Sequence, residues 1–90
     1  MKIYIRNITN LNPDGLYSIN GEVSDSSSDS YLDGANIFVL HSKIDCVSNY
    51  LGDFELAHLR LDDVLEFRYI NFLTKSISIR EFIRGGKSNW

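Results

Sequence analysis

Residues 2–23, KIYIRNITNLNPDGLYSINGEV, set two alternating runs on either side of a strong reversal signal. KIYIRNI has strand-like alternation with β-branched residues, Ile3 and Ile5 lying two positions apart, the period of a strand with one face buried. Asn12, Pro13 and Gly15 occupy the i, i+1 and i+3 positions of a type I turn. Beyond the turn, Tyr17, Ile19 and Val23 return on one side, with Gly21 marking a bulge. The expectation is an antiparallel hairpin, and a hairpin needs further strands or helices to cover its apolar face.

The rest of the chain supplies them. NIFVLH, residues 36–41, is a short continuous apolar run and reads as a central strand; KIDCVS, residues 43–48, returns beside it. NYLGD punctuates the chain. FELAHLRL, residues 54–61, is read as a strand from the alternation of Phe54, Leu56 and His58, although Phe54, Ala57 and Leu61 also fit a helix. From Asp62 the period lengthens, because Leu61, Leu65, Arg68 or Tyr69, and Phe72 recur at three- to four-residue intervals. Asp63 and Glu66 have capping-box spacing, which predicts a helix over 62–74. Ser78 with Glu81 predicts a second, short helix ending at Gly85-Gly86. The expected architecture is α+β: an antiparallel sheet of four to five strands, with one longer and one short C-terminal helix packed on one face. Ninety residues make one domain, 1–90, with an acidic loop at 24–34 and a flexible basic tail at 85–90.

Composition narrows the function classes. There is no apolar run of signal-peptide or membrane-spanning length, so a soluble cytoplasmic protein with no membrane contact is expected. A single cysteine, Cys46, excludes an internal disulfide framework and multi-cysteine zinc sites, and reads as a small apolar residue. The net charge of −3 is asymmetric. Residues 7–66 hold eleven Asp or Glu against Lys43 and Arg60, whereas residues 67–90 hold five Lys or Arg against Glu81.

Catalytic and metal signatures are absent. Asp25, Asp29 and Asp33 recur at four-residue spacing, but neither frame makes an EF-hand loop: from Asp29, positions 3 and 12 are Tyr31 and Leu40, and from Asp25, positions 6 and 12 are Ser30 and Asn36. No metal and no cofactor are expected. His41 and His58, with Lys43, compose the alternative of a small nuclease-like enzyme, although ordinary half-buried strand positions account for both histidines. Arg68, Lys75, Arg80, Arg84 and Lys87 interleave with aromatic residues, the alternative of direct nucleic-acid binding. The acidic whole and the core spacing of Tyr69 and Phe72 make that unlike a phosphate-binding domain. Trp90 is either a packed anchor or an exposed contact.

What remains is a concentrated negative surface. The serine-rich run is a hydrated connector in the first instance and a contact loop in the second. Glu22, Asp25, Asp29, Tyr31, Asp33, Asp53, Glu55, Asp62 and Asp63 are the expected partner-binding residues. They suit a basic protein partner, a toxin or nuclease effector, with monomer or homodimer left open. In size, charge and lack of reaction chemistry the chain resembles bacterial immunity proteins and phage-encoded inhibitors of host-defence nucleases. That resemblance implies a non-enzymatic protein that neutralises a basic partner.

Overall fold

The computed structural model of the chain describes residues 1–11 and 15–85. The reversal at 12–14, Lys87, Trp90 and the tail beyond Gly85 lie outside them. Across the described residues the fold is α+β, with seven antiparallel strands in two sheets and one short helix. β1 (Lys2–Leu11), β2 (Leu16–Ser24) and β5 (Asp53–Leu59) form one sheet in the order β1-β2-β5. β3 (Asn36–Val39), β4 (Asp45–Val47), β6 (Val64–Arg68) and β7 (Lys75–Ser78) form the other, ordered β4-β3-β6-β7. Helix α1 (Ile79–Gly85) follows β7 directly.

The predicted hairpin is present, with Ile3 opposite Val23 and Leu11 opposite Leu16. Its bulge lies on β1, opposite the glycine: Ile5 pairs with Gly21 and Asn7 with Asn20, leaving Arg6 as the extra residue. Gly21 is required there because a Cβ would run into the Tyr4 carbonyl oxygen and approach the Phe54 ring at 3.1 Å. A second bulge falls on β5, where Leu56 to Leu59 spans three steps against two from Ile19 to Tyr17. His58 takes φ 59° within it, so Leu59 turns inward and His58 outward.

The helix predicted over 62–74 is instead strand β6 followed by the reversal that leads into β7. The three-to-four spacing coexists with a two-residue one, and tertiary pairing decides between them. Leu65 and Phe67 alternate inward, both fully buried, and β6 is paired on both sides, with Leu65 against Val39 and Ile77. Asp63 caps a turn rather than a helix: its Oδ2 accepts the Arg60 N–H at 2.7 Å. The reversal at 69–72 closes with the Phe72 N–H donating to the Tyr69 carbonyl, while Asn71 adopts φ 67°. Two sheets therefore replace the single sheet with two covering helices. The short helix forms as predicted, since the Ser78 hydroxyl accepts the Glu81 N–H at 3.1 Å and Glu81 Oε1 accepts the Ser78 N–H at 3.3 Å.

The core lies between the sheets. Ile3, Ile5, Ile19, Val23, Phe54, Leu56 and Leu59 from one face Ile37, Val39, Leu65, Phe67 and Ile77 from the other, and α1 adds Ile79 and Phe82. Phe67 stands edge-on to both Phe54 and Phe82, with ring centroids 5.4 and 6.3 Å apart.

Candidate functional site

Because successive strands run antiparallel, the connections collect at two ends. Residues 25–35, 48–52 and 69–74 lie at one end, and residues 40–44 and 60–63 at the other. Hydrogen bonds tie residues 25–35 and 48–52 to each other and to the end of β2. Ser48, fully inside, donates its hydroxyl to the Leu32 carbonyl at 2.6 Å and accepts the Ala35 N–H at 2.9 Å. The Gly52 carbonyl accepts the Val23 N–H, and the Leu32 N–H reaches the Val23 carbonyl. Gly52 has φ 72° and no room for a Cβ beside the Val23 carbonyl, so this approach depends on glycine.

The serine-rich segment is exposed yet internally closed. Asp25 N–H donates to the Ser30 carbonyl and Asp29 N–H to the Asp25 carbonyl, both at 2.8 Å. Asp25 Oδ1 accepts the Ser27 N–H at 2.9 Å and the Ser27 hydroxyl at 2.8 Å, which together hold the Asp25 carboxyl below its usual pKa. The run is thus a compact Asx-type turn rather than a bare connector.

Several expected partner-binding acids already have internal partners. Arg6, aimed outward by its bulge, donates to Asp53 Oδ1 at 2.5 Å, to Glu22 Oε2 at 2.6 Å and to the Gly21 carbonyl at 3.3 Å. The hydrogen bond to Asp53 raises the Arg6 pKa further. Lys2 bonds Asp29 at 2.9 Å, which raises the lysine's pKa. Glu55 lines a groove of about 370 Å³ between β4 and β5, with Asp53, Asn20, Asn49 and Val47. The fold therefore brings Glu22, Asp25, Asp29, Tyr31, Asp33 and Asp53 to one end, with Glu55 just below. It separates Asp62 and Asp63, which belong to the far end, where Asp62 pairs with Arg80 at 3.3 Å and the Asp63 carbonyl accepts the Ile79 N–H.

Charge spacing did not reveal what else this end carries. Among the described residues, the large exposed apolar side chains include Tyr31, Val47, Tyr50, Leu51, Ile70 and Leu73, all in or beside its connections. Leu73 is 91% exposed and Ile70 78%. The helical period read across 62–74 concealed these two, because a hairpin tip presents residues that a helix would have distributed around its axis.

The alternative sites are arranged differently. His41, in the β3–β4 turn with φ 63°, and His58, on the β5 bulge, are both exposed at the far end, so neither is a half-buried strand residue. Cys46 packs half-buried against the core, and burial pushes its thiol pKa up, the opposite of an activated nucleophile. The basic residues of the C-terminal third are dispersed: Arg68 is held by Glu66 and lies over the Phe38 ring, Lys75 donates to the Met1 carbonyl, and Arg80 and Arg84 sit on α1. Among the described residues no group of three or more His, Cys, Asp or Glu is placed to hold a metal ion, and no helix is long and apolar enough to cross a membrane. Compared with known proteins, the chain matches no family model, no curated protein and no solved structure.

Proposed function

We propose that this protein is a non-enzymatic binding module that docks through residues 24–35, 48–52 and 69–74 on a basic protein partner, in the manner of an immunity protein or an anti-defence inhibitor. The observation that carries this reading is the coincidence, at one end, of large exposed apolar side chains with the acidic loop. Contiguous apolar surface rimmed by polar residues marks protein contact sites. Aromatic and aliphatic anchors would supply most of the affinity. The carboxylates would orient the partner and speed encounter, since Asp25 and Asp33 form no ion pair among the described residues.

The test is capture of partners from lysate of the protein's own source, washed at low and high salt, beside the Asp25→Lys, Asp29→Lys, Asp33→Lys triple variant. One stoichiometric basic protein, released at high salt and lost by the variant, is the expected result. Nucleic acid in the eluate, or RNA or DNA cleavage by the purified chain that His58→Ala abolishes, would instead move the function to the basic residues or to the far end.

A further inference from the structure

The 69–74 hairpin differs from an ordinary polar turn in how it distributes its apolar residues. Tyr69 and Phe72 face inward, packed against the core and edge-on to each other with ring centroids 5.6 Å apart. Ile70 and Leu73 face outward and are the two most exposed large apolar side chains among the described residues. The edge-on pair and the Phe72-to-Tyr69 hydrogen bond hold the tip in one shape, so seating it elsewhere costs little ordering entropy. Beside the tip runs a groove of about 510 Å³ lined by Asp33, Asn36, Arg68, Tyr69, Ile70 and Thr74.

Charge selects the occupant. Of the two charged residues that line the groove, Arg68 is ion-paired with Glu66, whereas Asp33 forms no ion pair among the described residues; Lys75, which donates to the neutral Met1 carbonyl, keeps its charge but does not line the groove. The uncompensated charge of the groove lining is therefore the Asp33 carboxylate, and it is negative. An anionic bilayer is repelled by it, and a second copy would bring like-signed ends together.

Building on the docking function, we propose that the β6–β7 tip is its anchor: Ile70 and Leu73 enter an apolar pocket of the basic protein partner, whose rim places a Lys or Arg against Asp33. The test puts photo-crosslinking p-benzoylphenylalanine at position 73, at position 50 and, on α1, at position 83 of the full chain. Each is irradiated in lysate of its source, with phosphatidylcholine–phosphatidylglycerol vesicles, and alone at micromolar concentration.

The expected result is an adduct from position 73, absent from position 83, mapping to an apolar side chain flanked by Lys or Arg in one protein. For that protein, once purified, Leu73→Asp weakens binding by at least about 30-fold while the melting temperature is unchanged. Adducts from position 50 alone, with Leu73→Asp binding normally, would overturn the anchor and leave the docking function standing. Adducts from position 73 to lipid or to a second copy would overturn the occupant, and no adduct from any position would remove both.

Discussion

At the residue scale, two positions carry structural demands that residue type alone does not express. Gly21 is a strand residue with ordinary φ, and what excludes a side chain is the Arg6 bulge, which pushes the Tyr4 carbonyl into the space a Cβ needs. Gly21→Ala is expected to destabilise the protein by about 2 kcal/mol or more, read as a lowered urea midpoint with an unchanged slope. The same bulge aims the Arg6 guanidinium at two carboxylates from neighbouring strands. Glu22 and Asp53 are consequently less available to a partner than their charges suggested, whereas Asp33 is more so. None of this is legible from spacing, because a bulge depends on the strand opposite.

At the element scale, local signals succeeded where the element closes its own hydrogen bonds. The Ser78–Glu81 box lies within four residues, and it caps the helix it predicted. Ser78→Ala is expected to cost about 1 kcal/mol, measured by thermal unfolding. The Asp63–Glu66 spacing looked equivalent, yet Asp63 closes a turn and Glu66 holds Arg68 across one face of β6. Residues 64–68 have β3 and β7 on either side, and two ladders of backbone hydrogen bonds outweigh a capping preference worth about 1 kcal/mol. Of residues 54–61, equally ambiguous in period, 54–59 form the strand that alternation favoured, with its register interrupted at His58, and 60–61 enter the following turn.

At the scale of the whole molecule, both sheets and the helix share one core, with Phe67 touching Phe54 of one sheet and Phe82 of the helix. Phe67→Ala is expected to remove about 3–5 kcal/mol, a large part of the stability of a small domain. Fluorescence and circular dichroism should then follow a single coincident transition, since no element keeps a core of its own. The alternation of strand direction across this core also composes the candidate interface, drawing three connections from distant parts of the chain to one end.

The amino-acid sequence by itself determined the first hairpin, the strand identity of five segments, the C-terminal helix cap, the acidity of the 24–34 loop and the absence of a familiar reaction motif. Each of these is written in residues close together along the chain. Tertiary structure alone decided that 62–74 is strand and turn, that the strands divide into two sheets, that Arg6 and Lys2 engage much of the expected acidic surface, and that Ile70 and Leu73 stand exposed beside the acidic loop. Those outcomes depend on which strands become neighbours, a property of the assembled core that no local period encodes.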